Sequence, residues 1–436
     1  MYNSKYLERI ARKTGFVQRK GKICPKSFFM SVLFQCFTGN QTSLNDHLVD
    51  LMRHHNVKVR KQSLFERFNS KAVAFLKHLL EEQLKLKWSC QMPWENLERF
   101  TEVLIEDSVR FQLPDHLKDS YPGNGGGASQ AGAHLQFEFD LKSGNVKTLS
   151  LHHAKYQDQK AARDQVDRIS ENSLIIRDLG YFVMDILESI HRKGAFFISR
   201  LKPKTTIYEL KEGQYIRLVD INSLYAETIR SKIPYLEKQV HMGPKKIPVR
   251  LLLEPLPEAV VEERLRKANK QAVKKGRNVS KEYKAFLRLN LFITNVPSED
   301  LAIEQVHQLY RLRWQVELVF KTWKGYFKFH QFKEMQLHRF ECYIFASLLF
   351  ILSGWELYCR LAGLIWQERH VLVSKMKFAK AWIQNKPKWR QLLSDGSSQM
   401  EDFIKDIRSE CLDFLLQERR KNRYNLEEFL QVNTCK

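Results

Sequence analysis

The sequence predicts a mixed α/β fold with a helical region at each end. Apolar residues recur at helical spacing up to about residue 98 and again from about residue 346 to the end. Between these regions, short apolar runs typical of strands alternate with helical segments. Three strands are followed by a helix, a strand, a helix and a strand, which is the element order of a mixed sheet covered by helices.

The charge of the chain narrows the possible partners. Its 436 residues carry a net charge of +23, and 43% of them are hydrophobic. This hydrophobic fraction is high enough to exclude a disordered chain. The surplus of positive charge predicts a polyanionic partner, with nucleic acid as the first candidate and an anionic membrane surface as the second.

The seven cysteines are scattered and form no CxxC pair, which disfavours a disulfide framework and a cysteine zinc site.

A membrane span is not predicted. The longest apolar stretch, Tyr343–Trp355, has 13 residues, whereas a spanning helix needs about 20. The stretch therefore predicts a buried core helix. The N-terminus is basic and has no apolar segment typical of a signal peptide, so we expect no signal peptide. The scattered cysteines predict a protein of the reducing cytoplasm.

The first helical region, residues 1–98, is strongly basic. Between Met1 and Met30 there are eight Lys or Arg residues and one acid. Further on, Ser63–Lys85 has apolar residues at helical spacing. The region could be a solvated helical bundle or a DNA-binding one, and its charge favours the second.

The strands and helices of the sheet region follow in order. We expect strands at 101–113, 133–141, 146–153, 173–182 and 195–202, and helices at about 158–170 and from 183 to 193. Residues 203–284 interrupt this order and include the basic segment Glu262–Lys284, either a solvated helix or a helix lying on phosphate. A strand returns at 289–297, and a long helix is expected to begin near Ser298.

One helix combines a carboxylate with several cations. On a helical projection with Tyr310 at 0°, Arg313 falls at about 300°, Lys324 at about 320°, Glu317 at about 340° and Lys321 at about 20°. The neighbouring arc is apolar and is predicted to pack on the sheet. A solvated salt-bridge face is the ordinary explanation of such an arc.

Two further carboxylates favour a metal site instead. Asp107 lies within the first strand, and Asp178 ends a later strand just before a glycine. Together with Glu317 they offer three hard oxygen ligands, which suit two Mg²⁺ ions, or Mn²⁺ in their place. Glu106 is expected to point to the opposite face of its strand and is excluded.

The spacing of four residues resembles a known signature. Tyr310, Arg313, Glu317 and Lys324 match the YREK signature of DDE transposases from bacterial insertion sequences, in the IS-Four-type branch. In chain order, Asp107 in LIEDSV and Asp178 in IIRDLGYF resemble the first and second acidic motifs of that family.

The resemblance implies an RNase H-like catalytic core interrupted by a largely β insertion. It implies that Asp107, Asp178 and Glu317 are the metal ligands and that Tyr310, Arg313 and Lys324 contact DNA; we add Lys321 as a further cation of the same arc. The implied regions are a DNA-binding domain at 1–98, the first part of the core at 99–202, the insertion at 203–284, the second part of the core at 285–345 and a helical C-terminal domain at 346–436.

The implied reaction is metal-dependent cleavage at transposon ends, followed by transfer of the freed 3′-OH into target DNA. The implied partners are the terminal inverted repeats, the target DNA and a second copy of the chain, in the cytoplasm beside the nucleoid. A stand-alone nuclease of the same fold and a non-catalytic DNA-binding descendant remain alternatives. The insertion contains no Trp to stack a base, so a hairpin intermediate is left open.

Overall fold

The chain forms two compact units. The computed structural model describes residues 2–36, 42–86, 94, 97–125, 129–217, 221–231, 234–395 and 399–418. The first unit consists of Met1–Pro93, Ser108–Tyr156 and Gln315–Val432, and the second of Trp94–Asp107, Gln157–Trp314 and Asn433–Lys436. Strand β1, Val103–Leu113, contributes its first half to the second unit and its second half to the first.

The first unit is built mainly from helices around one long apolar helix. That helix, α13, spans Leu337–Arg369 and packs against α2 and α5. The helices of this unit are α1 (Ser4–Lys13), α2 (Pro25–Gln35), α3 (Leu44–His55), α4 (Lys61–Phe65), α5 (Ser70–Leu84), α12 (Trp314–Thr322, from its second residue on), α13, α14 (Lys375–Gln384), α15 (Lys386–Asp395) and α16 (Met400–Phe414).

Helix α13 contains the apolar stretch that was predicted to be a core helix. It is long and apolar enough to cross a membrane, but 78% of its most apolar 18-residue window is buried inside the protein. Tyr343, Leu348 and Phe350 have no exposed surface. The stretch is a core helix, as predicted.

Local capping explains where several of these helices begin. Asn3 and Asn69 accept hydrogen bonds from the first-turn amides of α1 and α5. Ser43 and Asp46 form a reciprocal capping box at the start of α3, which satisfies two amides that the helix itself cannot bond. Capping therefore fixes the first turns that bring the apolar faces onto α13.

The first unit also holds an antiparallel hairpin. Strands β2 (Ala131–Asp140) and β3 (Val146–His153) pair antiparallel, from Ala133 opposite His153 to Phe139 opposite Val146. The strand order in this unit is β3-β2-β1. All residues of β2 are buried, and its apolar face carries Leu135, Phe137 and Phe139.

The second unit is a mixed sheet. Its strand order is β1-β4-β5-β10-β9-β8-β6-β7. Strands β1, β4 and β5 are parallel, and the pairs from β5–β10 onward are antiparallel. The strands are β4 (Leu174–Arg177), β5 (Phe196–Arg200), β6 (Ile207–Lys211), β7 (Gln214–Arg217), β8 (Leu236–Met242), β9 (Ile247–Pro255) and β10 (Leu289–Thr294).

The segment expected to be an insertion extends this sheet. Its strand β9 pairs through Arg250–Pro255 with the whole of β10, and the segment belongs to the same compact unit as the core strands. Its described residues form four strands, two helices and the start of a third helix. The helices of the second unit are α6 (Asp158–Gln165), α7 (Met184–Arg192), α8 (Ile221–Ser231), α9 (Glu258–Lys274), α10 (Lys281–Leu287) and α11 (Ile303–Leu312).

The predicted fold class is confirmed. The protein has a mixed α/β sheet with helical regions before and after it. Strands β1, β4 and β5 are parallel and the β2–β3 pair is antiparallel, as in the mixed sheet that the sequence predicts. The limits of the five expected regions stay a prediction, and residues 419–436 of the last region lie outside the described residues.

Two helix predictions need correction. The long helix does not begin near Ser298, because Asp300 and Leu301 turn back to the Pro297 carbonyl; α11 begins at Ile303. The helix expected from Tyr310 onward is also interrupted. Helix α11 ends at Leu312, α12 begins at Trp314, and Trp323–Phe327 is π-helical.

A candidate active site

Two predicted metal ligands lie side by side on neighbouring strands. Glu106 on β1 is opposite Arg177 on the parallel strand β4, and each is followed directly by an aspartate. Asp107 and Asp178 therefore occupy the same level of two strands that lie about 4.8 Å apart. Because side chains alternate along a strand, both aspartates belong to the same face of the sheet.

The opposite face of the sheet carries a buried ion pair. Arg177 Nε lies 2.6 Å from Glu106 Oε2, and these side chains are 6% and 0% exposed. Glu106 therefore balances a buried arginine and cannot reach the face of the two aspartates. The prediction that Glu106 points away is confirmed.

An arginine on the next strand lies level with the two aspartates. Ile176 on β4 is opposite Ile198 on β5, so Arg200, two residues further on, is level with Asp178 and on the same face. This arginine was not among the residues predicted from the sequence. The available signal was its position at the end of the strand that follows β4, the strand directly before Asp178.

Arg313, expected to contact DNA, is paired with a predicted metal ligand. Its Nη1 lies 3.1 Å from Asp107 Oδ2, and the two side chains are 14% and 19% exposed. The guanidinium also lies 5.8 Å from the centre of the Tyr310 ring. The arginine thus joins Asp107 to the tyrosine that was predicted for the same site.

Tyr310 lies in a largely apolar setting beside these charges. Its ring packs edge-on against Phe292 at 4.8 Å, and the residue is 9% exposed. Burial raises the pKa of Tyr310 to about 12, with Arg313 and Arg200 opposing and Asp178 adding to the rise. The phenol therefore stays protonated at neutral pH and can donate a hydrogen bond to an anion.

The remaining predicted residues belong to the first unit. Glu317 and Lys321 are exposed on α12. Lys324 is half-buried in the π-helical turn, and burial lowers the pKa of its ammonium below the usual range. The helical projection used for prediction does not apply to Lys324, because a π-turn has more residues than an α-turn.

The chemistry of the donors fits a hard divalent cation. Aspartate oxygens on adjacent strands are ligands that Mg²⁺ and Mn²⁺ prefer. Within the described residues, no group of three or more His, Cys, Asp or Glu side chains is close enough to hold a metal. Asp107 instead has Arg313 as a cationic partner.

Comparison with known proteins places these residues in a family context. The family model for the transposase DDE domain matches residues 98–352. The transposase of insertion sequence element IS231E from Bacillus thuringiensis subsp. finitimus is 32% identical over 85% of this chain and 81% of its own. The transposase of IS1151 from Clostridium perfringens is 28% identical over 98% of this chain and 94% of its own.

A solved structure is also distantly similar to the chain. The piggyBac transposase synaptic complex with hairpin DNA shares 8% sequence identity, with a TM-score of 0.46, over 97% of this chain and 84% of that one.

Proposed function

The chain belongs to the DDE transposase family of bacterial insertion sequences, and from this premise we propose the roles of its residues. It is a DNA transposase, an enzyme that cleaves DNA and transfers the cut strand. Enzymes of this family use divalent metal ions and act on DNA. The YREK residues and the individual ligands are part of the proposal.

We propose that Asp107, Asp178 and Glu317 bind two Mg²⁺ ions, which Mn²⁺ can replace. The observation that carries this assignment is the pair of aspartates at one level of parallel strands β1 and β4. Glu317 is the third ligand by its place in the YREK spacing. When bound, such ions activate an attacking oxygen and stabilise the leaving oxygen of a phosphodiester.

Four residues of the YREK segment are proposed to bind DNA. Arg313, Lys321 and Lys324 supply positive charge for phosphates, and the protonated Tyr310 supplies a hydroxyl donor. The ion pair with Asp107 keeps the Arg313 guanidinium in place before DNA arrives. Release of Arg313 to a phosphate would leave the Asp107 carboxylate to a metal.

The substrate is proposed to be the terminal inverted repeats of the element and a target DNA. The freed 3′-OH of each end attacks the target, so two ends must be held together, and we propose a homodimer on the paired ends. Such a complex works in the cytoplasm at the nucleoid. Light scattering of the end complex tests this, and a single protein copy per complex contradicts it.

The test of the site uses one amide variant for each acid. Asp107→Asn, Asp178→Asn and Glu317→Gln remove a ligand charge with little change in bulk. We expect each to lower the cleavage rate at an inverted-repeat end by about 10²-fold or more in Mg²⁺, while DNA affinity measured in Ca²⁺ stays within about threefold. Glu299→Gln, an exposed acid outside the site, is the control.

Two results would contradict the proposal. Cleavage by Glu317→Gln at the wild-type rate would remove Glu317 from the ligand set. Cleavage by the wild-type protein without any joined product, in an assay with an end-bearing donor and a target plasmid, would contradict strand transfer and favour a stand-alone nuclease.

A further inference from the structure

A cationic pocket lies beside the second aspartate. Leu179, the residue after Asp178, is one of the residues that line the pocket, and the pocket has a volume of about 320 Å³. Arg200 at the end of β5 and Arg264 on α9 line it, and Tyr283 on α10 contributes an aromatic wall. All of these residues belong to the second unit. None of the roles proposed above uses this pocket.

The two arginines place like charges close together. Arg264 donates to the Leu289 carbonyl at 3.4 Å and to Asn290 Oδ1 at 2.8 Å, which are neutral acceptors. Burial, and then the charge of Arg200, lower the pKa of Arg264 below its ordinary value, against the opposing charge of Glu254. The described residues that line the pocket include no Asp or Glu. An anion between the two guanidiniums would relieve their repulsion.

Of the two arginines, Arg200 is the better placed to bind an anion beside Asp178. It is level with Asp178 on the neighbouring strand, and its charge also acts on Tyr310. In the part of the chain that the structure describes, no carboxylate lies within ion-pair distance of Arg200. Lys267 also lines the pocket, but it is paired on the exposed helix surface with Glu263 at 2.6 Å.

We propose that Arg200 and Arg264 bind a backbone phosphate of the DNA strand that passes Asp178. A guanidinium pair suits this ligand because each planar group donates two hydrogen bonds to phosphate oxygens, and the apolar and aromatic walls can accept the attached sugar and base. The site rests on the proposed function and extends it. It assigns a strand-positioning role to two residues outside the YREK segment.

The test replaces single phosphates of the DNA. A duplex carrying the inverted repeat is prepared with one neutral methylphosphonate linkage at each position in turn, and its affinity is measured in Ca²⁺, so that no cleavage is required. For wild-type protein we expect one linkage near the cleavage position at which the substitution weakens binding about tenfold. In Arg200→Ala and in Arg264→Ala, the same substitution should cause no further loss.

Arg266→Ala is the matched control, because Arg266 is an exposed arginine of α9 outside the pocket. It should keep the tenfold effect at that linkage. Arg264→Ala also removes the bonds to Leu289 and Asn290, so its thermal unfolding is compared with wild type; Arg200→Ala removes no such bond and decides the result if Arg264→Ala is unfolded.

The proposal is overturned if no linkage loses its effect in Arg200→Ala. It is also overturned if inorganic phosphate binds wild-type protein in an Arg200-dependent way while the linkage scan is flat, since the pocket then holds a free anion. A protein that shows the coupling but cuts no DNA would instead contradict the proposed function and leave the phosphate site standing.

Discussion

At the scale of single residues, the ion pair between Arg313 and Asp107 links the binding of a metal ion to the binding of DNA. The same carboxylate that would bind a metal is neutralised by a guanidinium 3.1 Å away, with little exposure to solvent. A cation near a metal site repels the ion, and this repulsion disappears when the arginine turns to a phosphate. We therefore expect metal binding to be weak without DNA and stronger with it.

Replacing Arg313 by Ala should tighten metal binding in the absence of DNA. Removal of one positive charge beside Asp107 should raise the affinity for Mn²⁺ about threefold or more, measured by titration calorimetry. The same variant should bind DNA more weakly, with its salt slope reduced by about one ion. Arg311→Ala, which changes an exposed arginine in the last turn of α11, should leave the Mn²⁺ affinity unchanged. An equal or lower Mn²⁺ affinity in Arg313→Ala would contradict the linkage.

At the scale of elements, one buried arginine connects strand β9 to the turn before α11. Arg250 is paired with Glu237 on β8 through two bonds of 2.7 and 2.8 Å. Its Nη1 also donates to the carbonyls of Val296 at 3.0 Å and Leu301 at 2.8 Å. These bonds fix the point from which α11 carries Tyr310 toward the sheet.

Replacing Arg250 by Met should therefore be strongly destabilising. The variant leaves the Glu237 carboxylate and the three carbonyls of Val296, Pro297 and Leu301 without the arginine donor, at an expected cost of about 2–4 kcal/mol in the free energy of unfolding. Chemical denaturation measures this value. The control is Lys238→Ala, which breaks the more exposed pair with Glu227 and should cost at most about 1 kcal/mol. Equal losses in the two variants would show that the arginine has no special role.

The sequence predicted secondary-structure elements far better than contacts between residues that are distant in the chain. Strand β3 was expected at 146–153 and spans those residues, because its apolar alternation is local information. The pair between Arg313 and Asp107 joins positions 206 residues apart, and local pattern holds no signal for it. The π-helical turn at Trp323 was also missed, since its apolar spacing reads as ordinary α-helix.

The candidate site was likewise predicted only in part. The types and chain order of the acids could be recognised, and the structure places Asp107 beside Asp178. The position of Arg200 in that row depends on the register between β4 and β5, which sequence alone does not give. The role of Glu317 stays a prediction.

At the scale of the whole molecule, a buried histidine makes stability depend on pH. His47 has no exposed surface; its ring nitrogens lie 2.9 Å from Ser31 Oγ and 2.6 Å from the Tyr343 hydroxyl. Burial, with a further contribution from Arg339, lowers the pKa of His47 to about 4, against the opposing charges of Asp50 and Asp46. The folded protein therefore holds this ring neutral at a pH where the unfolded chain would bind a proton.

We expect the free energy of unfolding to fall as the pH decreases from about 6.5 to about 4. The folded pKa lies below the unfolded one, so the contribution is complete above the unfolded value and is lost as protons bind the unfolded chain, up to roughly 3 kcal/mol. Urea unfolding at pH 7.0 and 5.0 measures it. In His47→Gln, which cannot titrate, the difference between the two pH values should shrink; an unchanged difference would mean that other groups cause it.

The matched register of β1, β4 and β5 has a consequence for evolution and engineering of this protein. Asp107, Asp178 and Arg200 share a face only because the registers of β1 with β4 and of β4 with β5 place them at the same level. A one-residue slip or insertion in any of these strands would rotate its functional side chain to the buried side, where Glu106 and Arg177 now lie. Inactive copies of the enzyme could thus arise from length changes within the strands that leave every proposed site residue intact.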